Sequence, residues 1–395
     1  MEQAGSGGSW WTRGRIIATA AAATAFVVGL TVIAVGVVVA VRDREPDPLQ
    51  QRLDGLVDLG FPAAIATVTT DEGDRAMAAG VEQRGSEHDA DPTSSVRIGS
   101  NTKMFTSVAI LQLVAKDRID LDASVDTYLP DVLRRSGLDG SRVTVRQLLQ
   151  HTSGLPDYVR RLPANPFSFR DRYLAPRDLL DLAGVQRPTG APGERWTYSN
   201  TNFLVAGMIA ERVSGRPLPE LVKSTIIKPL GLRHTRFPGP GDRTMGSPAL
   251  HGYARTAKGR LGDITTADTS WAWAAGQMVS TPADLNRFMR ALVGGRVLPR
   301  AQLQEMQRTV ASTDPRSGTR YGLGLMEYTL SCGKRAWGHG GDVPGYETRN
   351  AVTEDGTAVT VAVSALPAAV ATGKERIAAA NERVNQVVDA ELCTR

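Results

Sequence analysis

Residues 98–103 read IGSNTK, which sets a serine hydroxyl at position 100 and a primary amine at position 103. A serine attacks a carbonyl carbon only when something takes its proton, and lysine can do so once its pKa falls from about 10.4 to near neutrality. Seven of the 46 basic residues are lysine, so one in this place stands out. The interval alone carries little weight, because Ser331 and Lys334 in SCGK repeat it. That second pair has a glycine between its members and leads into RAWGHGG, which reads as a strand, where side chains three apart do not meet. After Ser100 the pattern is helical, with Met104, Phe105, Val108, Leu111 and Val114 at the required intervals. A helix beginning at Ser100 stacks the Lys103 amine over the Ser100 hydroxyl. It also sets both at a helix N-terminus, whose partial positive charge favours an alkoxide and a neutral amine. The competing reading is a serine N-cap followed by a solvated lysine.

Two further stretches carry chemistry. Tyr198-Ser199-Asn200 leaves a Pro-Gly turn and precedes the apolar run Phe203, Leu204, Ile209 and Val213. There Tyr198 is placed to relay a proton and Asn200 to bind an amide, unless the phenol is simply packed and Asn200 caps the helix. In WGHGGDVPGY, His339-Gly340-Gly341 closes a strand, and the paired glycines let a substrate lie against the backbone. The N–H of Asp342 then pairs with that of Ser100 as an oxyanion hole, or the stretch is a Gly-rich hairpin corner with a structural histidine.

Taken in this order, the three sets resemble those of the serine β-lactamase and penicillin-binding superfamily, specifically class C β-lactamases and secreted D-alanyl-D-alanine carboxypeptidases. The resemblance runs over most of residues 60–395 and includes LLQHTSGLPDY, AAGQMVSTPADL, YGLGL, LSCG and a cysteine near the C-terminus. It implies Ser100 as the acylated nucleophile, Lys103 and Tyr198 as its proton-transfer partners, and Asn200 as a donor to the substrate amide. It implies His339 as counterpart of the third-motif cation or hydrogen-bonder, Gly341 and Asp342 beside the oxyanion, and Trp271 in the segment lining the cleft. It also supports a Cys332–Cys393 bridge. One departure stands out. Exopeptidase relatives hold the substrate's terminal carboxylate with an arginine six residues before the LSCG cysteine and two threonines flanking the third-motif glycine; here those places hold Met326, Gly340 and Asp342. An acidic group repels a carboxylate, which argues against strict action on free D-Ala-D-Ala ends and leaves acyl transfer itself intact. Arg335 and Arg349 are the candidates for a substitute charge.

The elements that must position these residues follow from the rest of the chain. With 395 residues, 42% hydrophobic and 22% charged, the chain is long enough for a sizeable core. Its net charge of +5 is spread along the length, which excludes a nucleic-acid partner. The five histidines (88, 151, 234, 251 and 339) are scattered, so no metal or other cofactor is implied, and His151 reads as structural. A Gly-x-Ser-x-Gly elbow is absent, which excludes the α/β-hydrolase arrangement. LQQRLDGLVDLGFP predicts an amphipathic helix, AAIATVTT and RAMAAGVEQ a first hairpin, ETRNAV and AVTVAVSAL a second, and Ile377 to Leu392 a closing helix. The expected fold is α+β: an antiparallel sheet built from both chain ends and flanked by helices, with a mainly helical lobe inserted between.

The first fifty residues are different. Ile16 to Val41 carries no charge over 26 residues, enough to span a bilayer with some tilt. The expectation is a short cytoplasmic tail (1–15), a transmembrane signal-anchor (16–41), a linker (42–50) and a hydrolase domain (51–395) outside the cell membrane. A cleaved signal peptide and a buried core helix are the alternatives. Cys332 and Cys393 then lie in an oxidising compartment, where a lone pair tends to form a disulfide, against the alternative of two buried free thiols. The expected function is a membrane-anchored serine acyl hydrolase acting on a small cell-wall peptide, a β-lactam or an ester. Its rival is a catalytically silent sensor that holds such a ligand in the same cleft. Nothing in the sequence sets an oligomeric state.

Overall fold

AAIATVTT alternates its side chains between two apolar environments, and both faces of the strand it forms are buried. In the computed structural model, which describes residues 47–134, 139–313 and 319–394, this strand is the pivot of the architecture. The chain begins with helix α1 (Pro48–Asp58), then β1 (Ala63–Thr70) and β2 (Gly73–Gly80), which pair antiparallel across Asp71 and Glu72. Three short strands follow, β3 (Val96–Arg97) before the central helix α2 (Thr102–Val114), and, after helix α3 (Asn200–Ser214), β4 (Tyr253–Arg255) with β5 (Leu261–Asp263). A short helix α4 (Trp273–Gly276) leads to β6 (Val279–Ser280) and helix α5 (Pro282–Val293). The last third supplies β7 (Val310–Ala311), β8 (Arg320–Tyr321), β9 (Met326–Thr329), β10 (Arg335–Val343), β11 (Tyr346–Thr353), β12 (Ala358–Val363) and the closing helix α6 (Lys374–Cys393).

The main sheet is antiparallel in the order β2-β1-β12-β11-β10-β9-β8-β7, so the two chain ends meet where β1 pairs with β12. Ala64, Ala66 and Val68 of β1 and Val359, Val361 and Val363 of β12 pack beneath Leu49, Leu53 and Leu56 of α1 and Val384, Val387 and Leu392 of α6. Ile65 and Ala362 face the opposite core, with Leu285, Phe288 and Met289 of α5 and the inserted helices. Glu391 of α6, nearly buried, pairs with Arg52 of α1 at 2.7 Å and with Arg75 of β2, tying the terminal elements together.

α1 begins inside the span expected as linker (42–50), because Leu49 is fully buried in this core. Residues 1–46, with the expected tail and membrane segment 16–41, lie outside the described residues; among the described residues no helix is long and apolar enough to cross a membrane. Cys332 and Cys393 are joined by a disulfide that links the turn before β10 to the end of α6. The bridge spans 61 residues of sequence, and by the chain-entropy estimate its loss costs about 4 kcal/mol. Cys393→Ala is therefore expected to unfold at clearly lower denaturant than wild type. Coincident unfolding curves would show that the bridge does not contribute.

Candidate active site

α2 is buried on nearly every face rather than along the one stripe its apolar residues suggest. Its two buried threonines are satisfied internally: Thr106 Oγ1 donates to Ala274 O at 2.8 Å, and Thr102 Oγ1 accepts from Met278 N at 3.1 Å. Ser100 is not the first α-helical residue. It sits in a 3-10 turn, Gly99–Asn101, just before α2, and no side chain caps either element. The turn is braced from the strands. Ile98 N donates to Met278 O at 3.0 Å, Asn101 Nδ2 donates to Thr348 Oγ1 of β11 at 2.6 Å, and Asn350 Nδ2 donates to Asn101 Oδ1. Gly99 adopts φ of +49°, and a Cβ there would lie 2.8 Å from Asp342 N of β10. Only glycine combines that backbone with that approach. The N–H groups of Ser100 and Asp342 therefore belong to directly adjoining backbone segments.

The next turn of helix carries the amine, fully buried, to the hydroxyl. Lys103 Nζ lies 3.0 Å from Ser100 Oγ, 2.8 Å from Asn200 Oδ1 and 2.8 Å from the carbonyl of Ala275. Burial lowers the Lys103 pKa to about 7, against the opposing pull of the Asp157 and Asp342 carboxylates. Tyr198 Oη donates to Ser100 Oγ at 2.8 Å. Its loop is fixed by His151, whose carbonyl accepts from Thr197 N at 2.8 Å and whose ring packs 4.4 Å from the Tyr198 ring. His151 Nδ1 accepts from Ser199 N at 3.3 Å, and burial holds the imidazole well below its ordinary pKa, hence neutral.

Asn200 stands at the N-terminus of α3 with both ends of its amide engaged: Oδ1 faces Lys103, and Nδ2 donates to Asp157 at 3.1 Å. Asp157 is mostly buried, and burial pushes its pKa up. N–H donors from Val159 and Asn200 and the charge of Lys103 act the other way. A chain Asp157–Asn200–Lys103–Ser100 results, of which Asp157 was not singled out from sequence. It lies in the motif LLQHTSGLPDY, in a loop without periodicity, and the only signal there is a carboxylate set between Pro156 and an aromatic.

The catalytic candidates open onto a cleft of about 570 Å³ whose walls include Ser100, Tyr198, Asn200, Trp271, His339 and Asp342. Trp271 lies on the helical side, where its carbonyl accepts from Tyr158 Oη at 2.7 Å. His339 lines the cleft but is only 2% exposed. Its Nδ1 faces the carbonyl of Gly340 at 2.6 Å, so that nitrogen carries hydrogen, and Nε2 meets Tyr321 Oη at 3.0 Å. Gly341 is buried against the Ser100 turn, where a Cβ would lie 2.0 Å from Ile98 O. Met326 and Gly340 also line the cleft, as does Arg349; Arg335, at the far end of β10, pairs with Glu354 instead. Among the described residues no cluster of metal-ligating side chains occurs.

A family model described as Beta-lactamase matches residues 49–382. The chain belongs to the β-lactamase family. Among solved structures, it is similar to a D-stereospecific amidohydrolase from Streptomyces sp., at 38% identity with a TM-score of 0.76, covering 85% of this chain and 98% of that one. The D-amino acid amidase of Ochrobactrum anthropi SV3, in complex with L-phenylalanine amide, is 27% identical with a TM-score of 0.77, over 88% of this chain and 98% of its own. PbpX of Bacillus subtilis (strain 168), which carries a penicillin-binding designation, is 24% identical over 348 residues, 85% of this chain and 77% of PbpX. The likeness thus spans this β-lactamase-like domain as a whole and matches the α+β fold described above.

Proposed function

We propose that this β-lactamase-family chain is a serine hydrolase that forms an acyl-enzyme on Ser100 and acts on amides of the D-aminoacyl type. The observation that carries the reading is the set of neighbours around Lys103. A neutral amine has two N–H donors and one lone pair. The Asn200 and Ala275 carbonyl oxygens can only accept, so they take the two hydrogens and the lone pair is left facing Ser100 Oγ. Ser100 attacks the carbonyl carbon as its proton passes to Lys103, and the developing oxyanion lies between the N–H groups of Ser100 and Asp342. Tyr198, within hydrogen-bond reach of the same oxygen, passes the proton to the leaving amine. Water then takes the place of that amine, giving up a proton as it attacks the ester and releasing the acid with Ser100 restored. Asn200 and Asp157 position Lys103, Gly341 keeps β10 against the nucleophile turn, and His339 and Trp271 line the walls. The D-aminoacyl class rests on the amidohydrolase and amidase neighbours; β-lactams and cell-wall peptides are the related donors to compare.

The same reading places the hydrolase domain outside the membrane, tethered through residues 16–41. The uncharged run and the disulfide support it, since bridges persist in oxidising compartments. Membrane fractionation with protease accessibility of the domain from the outer side tests it, and a soluble full-length chain would exclude it.

The central experiment follows ammonia release by the full-length protein from D- and L-phenylalanine amide, beside a D-Ala-D-Ala peptide and a β-lactam. Turnover of the D-amide that disappears in Ser100→Ala is expected. A covalent Ser100 adduct without turnover of any donor would indicate a sensor. No adduct and no turnover would end the proposal.

The pH dependence provides a further check. The base is active when neutral, so kcat/KM rises with pH through about 7, the Lys103 value. The Asp157 carboxylate raises that value, so Asp157→Asn is expected to move the ascending limb to lower pH while slowing the reaction through loss of Asn200 anchoring. A limb that stays fixed would show that Asp157 does not act on Lys103.

A further inference from the structure

The end of β10 that borders the nucleophile carries an unusual charge arrangement. Gly340 has no side chain, and the Arg349 guanidinium occupies the space beside it: a Cβ at Gly340 would lie 3.2 Å from Arg349 Nη1. From there Nη1 donates to Asp342 Oδ1 at 2.8 Å and to the Thr348 carbonyl at 2.8 Å. Nη2 donates to Asn381 Oδ1 at 2.8 Å and lies 2.8 Å from Glu347 Oε1. The Arg349 side chain is 10% exposed and that of Glu347 0%, whereas the Asp342 side chain is 59% exposed. One guanidinium thus serves two carboxylates, the buried one and the one that projects. The formal sum of the three groups is one negative charge, and it is presented to the cleft by Asp342. Its field reaches the catalytic amine, since Asp342 is among the charges acting on Lys103. Arg160 lines the cleft too, but from the helical lobe.

Resting on the acyl-transfer reading above, we propose that Asp342, propped by Arg349 across Gly340, is a specificity-determining residue that favours an ammonium on the substrate close to the scissile carbonyl and disfavours a carboxylate there. On that reading Asp342 contributes its backbone N–H to the oxyanion, and its side chain starts only two bonds from that nitrogen. A carboxylate placed beside it meets a like charge with Arg349 already engaged, while an ammonium gains an acceptor in Oδ2. The ammonium has two sources, the free α-amino group of an aminoacyl donor or an amine on the leaving group.

The test uses the full-length protein and phenylalanyl amides of D configuration whose leaving amines are ethylamine, ethylenediamine (cationic) and β-alanine (anionic), each with the α-amino group free or acetylated. In wild type the cationic member of each matched pair is expected to exceed its anionic counterpart in kcat/KM by about 10-fold, allowing for the exposure of the site. Asp342→Asn and Asp342→Thr are expected to bring that ratio close to one. Labelling of Ser100 by a fluorophosphonate reports whether each variant is folded. Should neither variant fold, the wild-type ratio still decides the matter, because it must shrink as salt rises from roughly 0.01 to 0.5 M. Preference lost on acetylation assigns the ammonium to the acyl side, and preference kept through the leaving amine assigns it to the other. A ratio unchanged by either substitution, or insensitive to salt in the wild type, overturns the assignment while leaving the hydrolase reading in place. Absence of any Ser100-dependent turnover in wild type would instead overturn the hydrolase reading itself.

Discussion

Replacing Lys103 with methionine is expected to slow acylation of Ser100 by about 10²–10⁴-fold, the usual loss for a positioned base. Methionine keeps the volume in a site that is fully buried, so the loss isolates the amine rather than a cavity. A distinctive signature should accompany it in stability. Lysine titrates near 10.5 in the unfolded chain, and burial lowers it to about 7 in the folded one. Between those values the unfolded chain binds a proton that the folded chain does not, so this residue's contribution rises with pH across the window. Below about 7 the penalty is fully present; above about 10.5 it is gone. The full span is about 4–5 kcal/mol. Relative to wild type, Lys103→Met should therefore be most stable at pH 6–7 and lose that advantage steadily toward pH 10. Denaturant titrations of both proteins across this range, paired with the second-order rate of fluorophosphonate labelling, measure the two effects together. A stability difference independent of pH would mean that the amine is charged in the folded state. An unchanged labelling rate would remove it from proton transfer.

Gly341→Ala should be strongly damaging to the nucleophile turn. The added methyl would lie 2.0 Å from Ile98 O, 2.5 Å from Thr348 Oγ1 and 2.6 Å from Asn101 Nδ2. Those are the groups that brace the Ser100 turn against β11, so the strand and the turn must separate. Overpacking of this kind costs about 1–3 kcal/mol, and a displacement of about 1 Å in a reacting group costs on the order of 10²-fold in rate. Gly340→Ala supplies the comparison. Its Cβ meets only the Arg349 side chain, at 3.2 Å, which can shift by a few tenths of an ångström. A large loss of labelling at 341 with a modest one at 340 is the expected pattern. Equal effects would show that the strand-to-turn contact does not set the geometry.

Much of this was legible in the sequence, and the reasons differ by element. The sheet from both chain ends was readable because β1 and β12 alternate small and β-branched residues with turn residues between hairpin partners. Ser100 and Lys103 were readable because a three-residue interval followed by helical periodicity has one geometric consequence. The 3-10 turn at Ser100 was not, since it depends on the left-handed Gly99 fitting against Asp342, a residue more than two hundred positions away. The all-round burial of α2 was hidden by Thr102 and Thr106, polar residues whose partners lie outside the helix. Asn200 was expected to hold substrate; that its Nδ2 also donates to Asp157 was not readable, since a contact between a helix start and a distant loop leaves no periodic trace. The pairing of Arg349 with Asp342 follows from the register Gly340↔Arg349, which only the hairpin fixes. A like-charge objection to a carboxylate could be raised from Asp342 alone. That Arg349 is already occupied could not.

The most direct test of the central claim, that Ser100 is acylated in a site formed with Lys103 and Tyr198, is peptide mass spectrometry after brief exposure to a β-lactam or a fluorophosphonate. The account predicts one adduct, on the peptide containing Ser100, absent in Ser100→Ala and formed far more slowly in Lys103→Met and Tyr198→Phe. An adduct on another residue, or equal labelling in Ser100→Ala, would contradict it.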